Sequence, residues 1–110
     1  MYHVRMTRSF GKDAERCKKR GYDMQLLSKA IHLLAETGQL PASYRPHKLS
    51  GKFANCWEAH LKGDWLVLWF QDDEELTLLF TGTGTHSDVF GSQKTSLSCS
   101  RVTHNLPLNF

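Results

Sequence analysis

Long apolar runs are missing from this sequence. The longest, Trp65 to Phe70, has six residues, far short of the roughly 20 that a membrane helix needs, so no membrane association is expected. The opening Met1-Tyr2-His3-Val4-Arg5 has none of the apolar stretch of a secretory signal, and a cytoplasmic location follows. Cysteine is scarce as well. Cys17, Cys56 and Cys99 form an odd set without CxxC spacing, so neither a disulfide framework nor a zinc site is indicated, and reduced, small apolar thiols are expected. Thr81-Gly82-Thr83-Gly84 lacks the GxxxxGK[ST] frame of a nucleotide-binding loop. At 110 residues the chain suffices for one core and not two.

Charge is plentiful and unevenly spread. Residues 1–55 hold eleven Lys and Arg against four acids, whereas residues 56–110 hold three against seven. The net +3 therefore hides a basic first half, which suits an anionic partner, and an acidic second half.

Periodicity gives the fold. Tyr2, Val4 and Met6 alternate with polar residues as in a half-buried strand. Ser9 is placed to cap a helix that Gly21 stops, and its sparse apolar positions (Phe10, Ala14, Cys17) leave a basic outer face. Asp23 is placed to cap a second helix, with Leu26, Leu27, Ala30, Ile31, Leu33 and Leu34 as a core-facing stripe ending at Thr37-Gly38. Pro41 and Pro46 hold the next segment extended. Phe53, Trp57, Ala59 and Leu61 then share one face of a strand and Cys56, Glu58 and His60 the other. A tight turn at Lys62-Gly63 leads into Trp65 to Phe70, a strand buried on both faces, and Leu76 to Phe80 forms another after an acidic turn. The expected fold is α+β: two amino-terminal helices packed on a small, twisted, mainly antiparallel sheet whose opposite face is open to a ligand. Residues 1–90 form this domain. Residues 91–110 begin with the linker-like Gly91-Ser92-Gln93-Lys94-Thr95-Ser96 and are read as a carboxy-terminal tail of unassigned role.

Chemistry concentrates in the histidines. His47 lies in a basic loop, His60 on the outward face of a strand with Asp64 four residues on across a turn, and His86 in a glycine-loosened segment after the last strand. Three imidazoles and a carboxylate meeting on one sheet face suit proton transfer on a polyanion, since the ordinary imidazole pKa of about 6.5 lies near working pH. The expectation is that Asp64 hydrogen-bonds His60 and orients it. No two of these residues have the short spacing of a strong metal motif, so no metal and no cofactor is expected. His3, His32 and His104 are read as surface or satisfied core residues.

The order and spacing of several segments resemble the YafQ-like branch of the RelE/ParE superfamily of bacterial toxin components, which cut messenger RNA on the ribosome. These are Leu40-Pro41 with Tyr44, Pro46-His47-Lys48-Leu49-Ser50-Gly51, Trp57-Glu58-Ala59-His60 with Asp64-Trp65, and Gly84-Thr85-His86 with Phe90. The resemblance covers roughly Met1 to Phe90. It implies a ribosome-dependent endoribonuclease of a type II toxin–antitoxin pair, with His47, His60, Asp64 and His86 as the catalytic set and Trp65 and Phe90 near bound RNA. Arg45, Lys48 and Lys52 of the basic loop would add phosphate contacts. The implied partners are messenger RNA on the ribosome, a cognate antitoxin, and operator DNA through that antitoxin. Metal-independent cleavage by such a set needs a base for a ribose 2′-hydroxyl, an acid for the departing 5′-oxygen, and positive charge for the transition state. One position departs from the family pattern: Gly82 stands where an arginine commonly precedes Thr-Gly-Thr-His. The alternatives are a toxin-like binding module that is attenuated or inactive for want of that charge, and a ParE-like gyrase inhibitor, for which the histidines would have no use.

Overall fold

The computed structural model of the chain describes residues 1–49, 56–90 and 102–104. Strand β1 (His3–Thr7) runs directly into helix α1 (Arg8–Lys19), because Thr7 is extended and its hydroxyl accepts the amide of Phe10 at 3.0 Å. The cap is thus Thr7 rather than Ser9, whose hydroxyl donates instead to the carbonyl of Thr81. Phe10, Ala14 and Cys17 are buried, and Arg16, Lys18 and Lys19 crowd the last turn, where the helix dipole favours cations. Burial pushes the Cys17 thiol up from its ordinary pKa, as befits an inert core residue.

Helix α2 (Met24–Thr37) starts on Asp23, which accepts the amide of Gln25, and ends at Gly38 with φ of 76°. Glycine is required there twice over: the left-handed backbone disfavours a side chain, and a Cβ would stand 2.7 Å from the ring of Tyr2. Met24, Leu27, Ala30, Ile31 and Leu34 face the core.

The remaining strands are β2 (His47–Lys48), β3 (Cys56–Lys62), β4 (Trp65–Asp72), β5 (Thr77–Gly84) and β6 (Val102–His104), with a one-turn helix α3 (His86–Phe90) after β5. The sheet order is β2-β3-β4-β5-β1-β6. β1 runs parallel to β5 and every other pairing is antiparallel. β6, from the tail, pairs with β1 at the outer edge; the rest of the tail, with Lys52 and Phe53 of the basic loop, lies outside the described residues.

Both helices cover one face, where Met6, Phe10, Leu27, Ile31, Leu34, Val67, Trp69, Leu78 and Phe80 form the main core. The second face is only partly open. Cys56, Leu66 and Leu68 meet Val89 of α3 in a small second cluster, which narrows the expected ligand surface to one end of the sheet.

Two boundaries shift. The β3–β4 connection is the two-residue loop Gly63-Asp64, with Lys62 opposite Trp65 and a bulge after His60, rather than Lys62-Gly63. Gly63, at φ of 56°, supplies the left-handed residue such a loop needs. β5 continues four residues past Phe80, through Thr81-Gly82-Thr83-Gly84. That polar stretch stays in the sheet because its groups are satisfied. Buried Thr83 donates its hydroxyl to the carbonyl of Leu66 and receives the indole N–H of Trp65, while its amide donates to Asp13 of α1 at 3.2 Å.

Candidate active site

Pairing across the sheet sets a row of residues on the partly open face. His47 of β2 stands opposite Glu58 of β3, Glu58 opposite Leu68 of β4, and Leu68 opposite Gly82 of β5. One step along, His60 stands opposite Leu66 and Leu66 opposite Gly84, and His86 follows at the start of α3.

Glu58 is the centre of this arrangement. Its side chain is only 6% exposed, whereas those of His47 and His86 are 50% and 59% exposed. Oε1 lies 2.8 Å from Nε2 of His47, and Oε2 lies 4.0 Å from Nε2 of His86. A hidden carboxylate thus sits beneath two imidazoles that meet solvent. The Nδ1 of His47 lies 3.0 Å from the carbonyl oxygen of Arg45. A carbonyl only accepts, so Nδ1 is the donor in that contact, and Nε2 is the nitrogen turned to the carboxylate. Arg45 aims its carbonyl this way from a left-handed backbone, φ of 50°, which is costly for a residue with a side chain.

His60 is half-buried, with its ring centroid 6.4 Å from that of His47. Its Nδ1 is sealed from solvent without a hydrogen-bond partner among the described residues, so Nε2 is the nitrogen left for a substrate. Asp64 does not pair with His60 as expected. From the tip of the two-residue loop, 67% exposed, it lies 3.5 Å from Nδ1 of His86. The bulge after His60 and the one-residue shift of the turn account for the change of partner.

His86 is fixed through its own helix. Thr85 and Asp88 cap α3 reciprocally, the Thr85 amide donating to the Asp88 carboxylate at 2.9 Å and the Asp88 amide donating to the Thr85 hydroxyl at 3.2 Å. Arg20, just past the end of α1, grips the same carboxylate. The Arg20 guanidinium, more than any other neighbour, lowers the pKa of Asp88 to about 2, and the pKa of Arg20 is raised in return.

The expected RNA contacts fare differently. Lys48 is exposed, but its ammonium lies 5.7 Å from the ring centroid of Trp57, whose face of β3 is opposite to that of Glu58. Trp65 is 4% exposed and belongs to the main core, its indole N–H held by Thr83. Phe90 closes α3; its side chain, like Lys52, lies outside the described residues. At Gly82 an added Cβ would lie 3.4 Å from Asp13 Oδ2 and 3.6 Å from Val89 Cγ1, ordinary contact distances. Among the described residues no group of three or more His, Cys, Asp or Glu is placed to hold a metal ion.

Glu58, Arg20 and Asp88 were not singled out from the sequence. Glu58 had a visible signal, an acid two residues before His60 and on its face of a strand. Arg20 and Asp88 had none, since only the fold brings them together.

The fold has known counterparts. The chain aligns with a solved YoeB/ParE toxin from Agrobacterium tumefaciens at a TM-score of 0.66 over 78% of this chain and 99% of that one; at 17% identity, the likeness is one of fold. Residues 2–91 match the family model described as the bacterial toxin of a type II toxin–antitoxin system, YafQ, and the chain belongs to that family. It is 36% identical over 83 residues to the mRNA interferase toxin YafQ of Escherichia coli K12, spanning 74% of this chain and 88% of that protein. In the solved DinJ–YafQ complex of E. coli the toxin superposes with a TM-score of 0.75 at 32% identity, over 83% of this chain and all of that one.

Proposed function

We infer that this protein is the toxin of a type II toxin–antitoxin system, an endoribonuclease that cuts messenger RNA on the ribosome by imidazole acid–base catalysis. The observation that carries the mechanism is the buried Glu58 carboxylate beneath two exposed imidazoles, 2.8 Å from Nε2 of His47 and 4.0 Å from Nε2 of His86. His60, working through Nε2, takes the proton of a ribose 2′-hydroxyl. The 2′-oxygen bonds to phosphorus, the bond from phosphorus to the 5′-oxygen breaks, and His86 delivers a proton to that oxygen, leaving a 2′,3′-cyclic phosphate and a 5′-hydroxyl. Both nitrogens of His47 already face protein acceptors, so it borders the phosphate without exchanging protons with it. Glu58 positions the imidazoles without touching RNA, and Asp64 orients His86.

The partners follow from this reading. They are messenger RNA in the ribosome, a cognate antitoxin such as the one complexed with the E. coli relative, and operator DNA bound through that antitoxin. The basic first half of the chain supplies the charge for an RNA-rich surface. Gly82 puts no cation in the cross-sheet row, so the enzyme is slower than one with arginine there.

The test is expression in a bacterial host, with and without a candidate antitoxin, of the wild type and of His60→Ala and His86→Ala. Growth arrest with loss of messages, abolished by either substitution and by the antitoxin, is expected. Arrest that survives both substitutions contradicts catalysis, and intact messages with damaged DNA contradict the RNA target.

A further inference from the structure

Beside the proton-transfer cluster, a hollow of about 500 Å³ opens between the α1–α2 turn and the β3–β4 loop. Its walls include Tyr22, Asp23, Leu26, Lys62, Asp64 and Trp65, and Thr85 closes the side next to His86. Tyr22 meets Trp65 edge to face, with ring centroids 4.9 Å apart, so the buried indole backs the tyrosine ring in the wall. The hollow adjoins the candidate active site through Asp64, which lines it and lies 3.5 Å from Nδ1 of His86.

The lining chemistry selects an occupant. Two carboxylates, Asp23 and Asp64, outnumber the one ammonium, Lys62, and disfavour a phosphate, whereas the aromatic and leucine wall suits an uncharged ring. Carboxylates accept hydrogen bonds and donate none, so they favour a ring bearing an exocyclic amine. Adenine, cytosine and guanine carry one, while uracil presents carbonyl oxygens in its place. Asp23 uses Oδ1 to cap α2, which fixes its carboxylate at the wall. Single-stranded RNA is generally read in this manner, by bases splayed out of the stack onto aromatic side chains and hydrogen-bonded on their edges. We propose that this hollow is a nucleobase pocket that takes the base flanking the cut phosphate and selects an amino-bearing base over uracil. The assignment rests on the ribonuclease reading above and adds to it the residues that choose the sequence.

The experiment is primer extension in a reconstituted translation system, on a set of reporter messages with each of the four nucleotides in turn on either side of the cut. Wild type, Asp23→Asn and Leu26→Trp are compared, with His86→Ala as the inactive control. Wild type is expected to cut amino-bearing sites about tenfold better than uridine sites at one flank. Asp23→Asn keeps the helix cap but gains a donor, so it should narrow that ratio, and Leu26→Trp, which fills the hollow, should remove it. Variants that cut normally with the wild-type base profile overturn the pocket. Failure of the wild type to cut at all counts against the ribonuclease reading, and the pocket is then judged by titrating the protein with AMP and UMP under NMR. Shifts centred on Tyr22 and Trp65 with AMP, and not with UMP, support it; none at either residue overturns it.

Discussion

Arg20 and Asp88 lie 68 residues apart in the chain, yet the guanidinium donates to both carboxylate oxygens, at 2.7 and 3.3 Å. This fork ties the end of α1 to the helix that begins with His86, and the same carboxylate caps that helix. The placement of the His86 imidazole therefore depends on a contact between the first and last thirds of the domain.

Asp88→Asn should lower stability at pH 7 by about 1–3 kcal/mol, the ordinary worth of hydrogen bonds to a charged group. The sign of its pH dependence follows from the depressed pKa. The carboxylate stabilises the fold fully above its ordinary value of 3.8, and the contribution is lost as pH falls toward about 2. Urea unfolding of both proteins should show a gap that closes across that window. A gap of equal size at pH 7 and pH 2 contradicts the assignment.

Glu58→Gln should leave the fold intact and slow cleavage by about 10- to 100-fold, the usual cost of losing a carboxylate that orients a functional imidazole. A neutral amide removes the carboxylate that faces both His47 and His86. Circular dichroism establishes folding, and cleavage rates on a translated message read the loss. Wild-type rates from a folded Glu58→Gln protein would remove Glu58 from the account.

Gly82→Ala should raise stability by about 0.4–1 kcal/mol, since a Cβ there makes only ordinary contacts with Asp13 and Val89 and alanine loses less chain entropy on folding. Gly82→Arg puts a cation into the row that contains Glu58 and should raise the cleavage rate, by up to about 10²- to 10³-fold if the fork reaches the transition-state charge. Paired rate measurements on the two variants separate charge from bulk. Equal rates mean that charge at this position does not limit the enzyme.

Trp65→Phe should cost about 1–2 kcal/mol, through loss of the indole donation to Thr83, and still cut RNA. Thermal unfolding together with cleavage distinguishes a core residue from an exposed stacking platform. Loss of cleavage with unchanged stability would return Trp65 to direct base stacking.

The helices and strand faces were legible because each carries one clean signal. Asp23 caps α2 and Gly38 ends it, and the alternation through Trp57, Ala59 and Leu61 gives the inner face of β3. The extension of β5 was not legible, because Thr81-Gly82-Thr83-Gly84 reads locally as a loop. It is held in the sheet by Asp13 and Trp65, which are distant in sequence. His47, His60, Asp64 and His86 do gather at one end of the sheet. Their pairing was misread for a similar reason. The bulge after His60 decides whether Asp64 faces His60 or His86, and it has no local mark in the sequence.

The most direct test of catalysis is primer extension on a reporter message in a reconstituted translation system, comparing wild type with His86→Ala. The account predicts cuts that appear only while the message is being translated and that vanish with His86→Ala. Cuts that persist unchanged in His86→Ala, or none from a folded wild type that still binds its antitoxin, would contradict it.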